Sequence, residues 1–357
     1  MRKLFYIVSF CLLAVALPAV ADTYYFCDFE NDTENATWQL NTPRNENNAW
    51  PNLWYIGSAV AKDGERSLYI SADNGATTGY QVGKSHMVIA WREFDNLEAG
   101  EYDIAIDWRS VGDSLRAALY VAWVPDDDPN DATVAKNNYF SRMNCAQNDD
   151  VNARPWMKDN FITFVSGVDS AYLLSGSSVW SHSVGKITVK GNIKYRLAFA
   201  YVVSGNAAVC NPGACVDNVQ IARNNCGTPT DLNVSVSGRQ ATFTWTSSAQ
   251  QFNIRYSKQG SDEVKEVKGL NAPLFIQTLD HGVYNFYIQV VCNGETSVWY
   301  AFPVVIVYDS KCFNYLDLKE ENCYYSQMVA STDQGFSYNE TLLKPEKIDK
   351  GYNSMYS

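Results

Sequence analysis

The chain has 357 residues, of which 46% are hydrophobic, 14% aromatic and only 19% charged, which excludes a disordered polypeptide. Asp and Glu outnumber Lys and Arg by 39 to 28, a formal charge of −11, and no long basic run occurs. A nucleic-acid partner is thereby excluded. The 23 Tyr, 16 Phe and 10 Trp favour strands, and the length allows about two cored domains.

Residues 1–21 have the layout of a secretory signal peptide: Arg2 and Lys3, an apolar run from Leu4 to Leu17, then Ala19-Val20-Ala21. The run is shorter than the roughly 20 residues a membrane span needs. The expectation is a protein that is secreted or held at the cell surface, with no transmembrane segment in its mature form. Export favours disulfides. Setting aside Cys11 in the leader, spacing suggests Cys210–Cys215 and Cys312–Cys323 as short loops and Cys226–Cys292 as a tie across one module, which leaves Cys27 with Cys145. No C-x-x-C occurs and the three histidines lie far from the cysteines in sequence, which argues against zinc.

Residues 22–225 show strand after strand at period two. Tyr102, Ile104, Ile106 and Trp108 share one face; so do Leu115, Ala117, Leu119, Val121 and Trp123, and then Tyr195, Leu197, Phe199, Tyr201 and Val203. With turn clusters such as Asp73-Asn74-Gly75 between them and no helical period, this predicts an all-β, two-sheet sandwich. The second faces carry small residues among Arg, Asp and Tyr: Ala90, Ala105, Ala118, Ala122, Ala198 and Ala200 beside Arg92, Asp107, Arg109, Arg116, Tyr120 and Arg196. The six polar residues are the candidate ligand-binding set, with the alanines as a groove floor and the polar groups bonding paired hydroxyls. The competing reading is a solvated sheet face laced with cross-strand ion pairs. On the groove reading, alanine at Arg109, Arg116 and Arg196 abolishes glycan binding and leaves the melting temperature nearly unchanged.

After the turn-rich joint Asn224 to Pro229, residues 226–307 alternate again through Leu232, Val234 and Val236, Ala241, Phe243 and Trp245, Phe252, Ile254 and Tyr256, then Phe286, Ile288 and Val290. Pro229, Leu232, Trp245, Tyr256, Leu279, Gly282 and Tyr284 resemble the landmarks of a fibronectin type III domain. The resemblance implies an immunoglobulin-like sandwich with a core Trp, a corner tyrosine at Tyr284 and no catalytic residues. Cys27-Asp28-Phe29-Glu30, Trp54-Tyr55-Ile56-Gly57, Ser67 to Ser71 and Val216-Asp217-Asn218-Val219 resemble MAM-like jelly-roll modules. That resemblance implies a structural calcium held by Glu30 and Asp217 with Asp28, the alternative being capped or solvated acids. Asn31, Asn35, Asn233 and Asn339 stand in glycosylation sequons.

Residues 308–357 read as an incomplete third module or a disordered tail. No H-E-x-x-H, G-x-S-x-G, G-x-G-x-x-G or P-loop occurs. The acidic run Asp126 to Asp131 fails the EF-hand pattern, and His182 reads as a loop histidine with no role. Trp50, Trp54, Trp156 and Trp180 are read as sugar platforms or as core packing. The expectation is a non-catalytic binding protein that recognises a glycan or cell-surface protein through the jelly roll. The alternatives are an adhesive protein with protein partners and an accessory region of a larger secreted hydrolase.

Overall fold

The computed structural model describes residues 23–42, 50–113, 116–126, 139–147, 150–166, 169–261 and 263–307. The leader, the Cys312–Cys323 pair, the 308–357 tail, Leu115, Asn339 and most of the acidic run lie outside the described residues. Strands of five residues or more are numbered here. The first module holds β1 Thr23–Cys27, β2 Leu53–Gly57, β3 Ser67–Ser71, β4 His86–Phe94, β5 Gly100–Ser110, β6 Ala117–Pro125, β7 Ser177–Val189, β8 Tyr195–Val203 and β9 Cys215–Arg223. The second holds β10 Thr230–Ser237, β11 Gln240–Thr246, β12 Gln251–Lys258, β13 Val264–Leu270, β14 Leu274–Thr278 and β15 Gly282–Cys292.

The first module is a jelly-roll sandwich of two antiparallel sheets, one ordered β2-β3-β9-β5-β7 with β1 also on β9, the other β6-β8-β4 with short edge strands. The alternating apolar sets point between the sheets: Tyr102, Ile104, Ile106, Leu119, Val121, Leu197, Phe199 and Tyr201 are all buried in one core. Large aromatics fill the gap, with Phe199 stacked on Trp38 and Tyr25 edge-on to Phe94 across the sheets. The second module sets β10-β11-β14 against β13-β12-β15. Its core centres on Phe243, Trp245, Tyr256 and Phe286, and the Tyr284 hydroxyl donates to the Asp280 carbonyl at 3.0 Å, a tyrosine corner.

Several expectations need correction. Cys226 and Cys292 form a disulfide, but Cys27, Cys145, Cys210 and Cys215 carry thiols. Cys27 ends β1 beside Val219 in one sheet, while the Cys145 sulfur accepts from the Ile89 amide in the other, so the sandwich core separates them. Cys215 is sealed within β9, its thiol turned to the Gly213 carbonyl, and burial pushes that thiol up to about 12. His182 is not in a loop; it lies in β7, paired with Asp107 of β5. Trp50, Trp54 and Trp156 are at most 9% exposed, which makes them packing residues.

The alanine floor exists but is covered. Ala118, Ala122, Ala198 and Ala200 share the outer face of the β6-β8-β4 sheet, and all four are buried. The described segments 139–147 and 150–166 between β6 and β7 lie over them. Ala146 bridges to Met87 at one sheet edge, Phe161 bridges to Ala122 at the other, and Phe140, Met143, Trp156 and Met157 are buried in the same core. Small residues let this second layer approach the sheet, so the chain fills its own groove.

Candidate functional site

Strand alternation on β5 sends Tyr102, Ile104, Ile106 and Trp108 inward and leaves Asp103, Ala105, Asp107 and Arg109 on the opposite face. There the second module docks. Ala105 of β5, Val184 of β7 and Ala222 of β9 are buried in the second module's core cluster, and two acids flank this apolar contact on β5. Asp103, 1% exposed, accepts from the Tyr300 hydroxyl at 2.6 Å and from the Asn224 amide at 3.0 Å. Burial pushes its carboxyl up to about 6 against those two donors.

Asp107 faces the His182 Nδ1 at 2.8 Å with one oxygen and accepts from the Asn218 amide at 2.8 Å with the other. Burial opposes its charge, yet His182 and Asn218 outweigh that and hold the carboxyl below its ordinary range. Asn218 reaches Asp107 because it stands at φ 48° in an irregularity of β9, between its Asp217 and Gln220 pairings to β5. Asn tolerates that left-handed conformation better than most residues. The same amide nitrogen donates to Asp63 at 2.8 Å. His182 Nε2 lies 2.8 Å from the Trp299 carbonyl of the second module.

Beside this chain of contacts lies a cleft of about 400 Å³ between the modules. Phe26, Lys62, Asp63, Asp107, His182 and Asn218 line it from the first module; Arg255, Asn285, Tyr287 and Trp299 line it from the second. Phe26 is 52% exposed. The Arg255 guanidinium sits 4.6 Å from the Trp299 ring centre and 5.3 Å from that of Tyr287, while His182 meets Tyr287 edge-on. Burial, with Asp107 close by, pushes the Tyr287 phenol up to about 12, so it stays a neutral donor. A second cavity of about 690 Å³ opens at the Asp103 end of the joint, with Phe161, Val165, Val184, Pro229 and Leu232 among its walls.

The six residues expected to form one groove are dispersed. Asp107 alone among them lines the inter-module cleft. Arg109 is on the same sheet face, its Nε buried without a hydrogen-bond partner, opposite Cys215. Arg92 faces inward and seals the rim between the sheets, stacked 4.3 Å over Tyr25 and bonded to Glu34 at 2.9 Å. Arg196 is clamped between Trp91 and Phe140 at 3.9 and 3.8 Å. Tyr120 is buried against Phe161, and Arg116 is exposed ahead of β6. Two opposite sheets supply these side chains, so no single surface can present them.

The three acids expected at a calcium are each engaged by backbone amides. Glu30 accepts from the Glu65 and Arg66 amides at 2.7 Å each, Asp28 accepts from the Glu30 amide, and Arg66 bonds Asp32 at 2.6 Å. Asp217 accepts from the Lys62 and Asn218 amides at 2.8 Å. Glu30 and Asp217 thus hold the two ends of the 62–66 loop. Among the described residues no three His, Cys, Asp or Glu side chains are grouped to hold a metal.

Sequence reasoning missed Phe26, Asp63, His182, Arg255, Tyr287 and Trp299. Phe26 carried one signal, an aromatic on the face of β1 opposite buried Tyr25 and Cys27. Asp63 and His182 meet within the first module through Asn218 and Asp107, and Arg255, Tyr287 and Trp299 join them when the modules dock.

No family model matches the chain, and no curated protein does. Among solved structures it is similar to the CBM22-1 xylan-binding domain from Paenibacillus barcinonensis Xyn10C, at 12% identity over 58% of this chain and 97% of that one, TM-score 0.31. It is similar to an FN3 domain of human collagen XX, at 16% identity over 22% of this chain and 88% of that one, TM-score 0.20. A β-1,2-glucanase from Parabacteroides distasonis is similar at 10% identity and TM-score 0.24; this chain covers 39% of its length, with 84% of this chain aligned. No helix among the described residues is long and apolar enough to cross a membrane.

Proposed function

We propose that the chain is an exported, non-catalytic binding protein whose ligand is a glycan held in the cleft between its two modules. One observation carries this reading. A half-exposed aromatic, Phe26, lines the same cleft as the Arg255-stacked rings of Tyr287 and Trp299, with Asp63, Asn218 and Asn285 around them. A sugar ring offers an apolar C–H face to an aromatic and a rim of hydroxyls to carboxylates, amides and guanidinium. A concave site with aromatic walls and a few convergent polar groups suits such a ligand. The expected leader at residues 1–21 supports export.

The test is a glycan array probed with the chain lacking residues 1–21, followed by calorimetric titration of any glycan retained. Phe26→Ala and Trp299→Ala are each expected to weaken binding tenfold or more. Phe26→Ala should change the melting temperature little, because about half of that residue already lies in solvent. Undiminished binding in both variants, or an array that retains nothing, defeats the reading.

A further inference from the structure

We infer that the joint between the modules is an acid-closed latch, built on His182, that sets the shape of the cleft. The inference rests on the cleft being the binding site, and concerns its regulation. Both ring nitrogens of His182 face atoms that only accept: the Asp107 carboxylate at Nδ1 and the Trp299 carbonyl at Nε2, each at 2.8 Å. A neutral imidazole carries a single N–H and satisfies one of them; the imidazolium carries two and satisfies both. One of these bonds stays inside the first module and the other crosses to the second. The charge state of one ring therefore decides whether the first module keeps its grip on the backbone at Trp299, a wall of the cleft.

The charges around the ring act in both directions. Asp107 on β5 and Asp63 on the 62–66 loop favour the imidazolium, while Lys62 on that loop and Arg255 on β12 oppose it; Tyr287 on β15 stays neutral. Asp107 is in contact with the ring, and Lys62 is exposed to solvent. Asp103, next to Lys186 and Glu101, meets Tyr300 of the second module, and its burial favours the protonated acid. Two consecutive residues of the second module, Trp299 and Tyr300, are thus each held by a titratable group on the first module.

The experiment follows two spectroscopic signals in one sample, with no ligand present. ¹⁵N-labelled histidine reports the His182 ring, assigned through His182→Gln, and 5-fluorotryptophan reports Trp299, assigned through Trp299→Phe. At acid pH His182 should show two protonated nitrogens. As pH rises, the Trp299 signal should shift with the same midpoint as the ring, and that shift should vanish in His182→Gln. Asp107→Asn, which removes the carboxylate facing Nδ1, should keep the ring and the Trp299 signal on one shared midpoint. A Trp299 signal that ignores the His182 titration overturns the latch, as does a ring with one N–H at the lowest pH where the protein is folded. Should His182→Gln fail to fold, Asp107→Asn decides the matter: separate midpoints for the ring and for Trp299 in that variant overturn the latch. Because no glycan enters this measurement, its failure leaves the array result standing, and an empty array leaves the latch standing.

Discussion

Replacing Asp103 by Asn isolates the electrostatic cost of docking. Asn is nearly isosteric, its carbonyl can accept from Asn224, and its amide can donate to the Tyr300 oxygen, so both existing partners are kept. The charge is lost, and Tyr300 turns from donor to acceptor in that bond. The carboxyl rises from 3.8 to about 6 on folding, with burial as the main cause. At about 1.4 kcal/mol per pH unit, this shift of roughly two units makes ionised Asp103 cost the folded protein about 3 kcal/mol. At 1% exposure no discount for solvent screening applies. Because the folded value is raised, the stability contribution is fully present below pH 4 and is lost as pH rises through 6. Urea unfolding of the wild-type chain and Asp103→Asn at pH 4, 5, 6, 7 and 8 gives a difference curve in which the other titrating groups cancel. The variant should gain about 2.4 kcal/mol on the wild type between pH 4 and pH 8, with most of the change between 4 and 6. A difference that is flat with pH would refute the burial argument.

Other outcomes follow from the same structure. Removing both Cys226 and Cys292 as alanines opens a loop of 66 residues and should cost about 4 kcal/mol by chain entropy, read as a lower urea midpoint. Arg196→Ala removes a guanidinium clamped between two rings and bonded to the Phe140 carbonyl at 3.1 Å. It should destabilise by about 2 kcal/mol, the reverse of the sequence-based expectation that the melting temperature would hold. Alkylation of the native chain, mapped by mass spectrometry, should label half-buried Cys210 well before buried Cys27 and Cys215, with Cys215 slowest because its thiol is pushed up to about 12. Recovery of Cys210 and Cys215 as one disulfide-linked peptide would contradict the thiol assignment.

The core-facing residues were legible wherever alternation met burial. The sets on β5, β6 and β8 lie where period two puts them, because a sheet with one face in a core must send every second side chain there. Tyr284 was legible for a similar local reason: a corner tyrosine bonds a carbonyl four residues back, so its partner Asp280 travels with it in sequence. The polar faces behaved differently. Arg92, Tyr120 and Arg196 looked like surface by the same alternation, yet one faces the gap between the sheets and two lie beneath the 139–166 excursion. Alternation states that a face exists, and leaves open what comes to cover it.

What this sequence determined by itself is the all-β class, the fibronectin-like second unit and the inward residues of its strands, all properties written within a few residues of chain by backbone geometry. What the tertiary structure alone decided is the site. Phe26, Asp63, Asp107, His182, Arg255 and Trp299 come from segments up to 273 positions apart, and docking of one sheet face against another module brings them to a single cleft. Packing between modules depends on shape and charge matched across space, and such a match leaves no period in the chain.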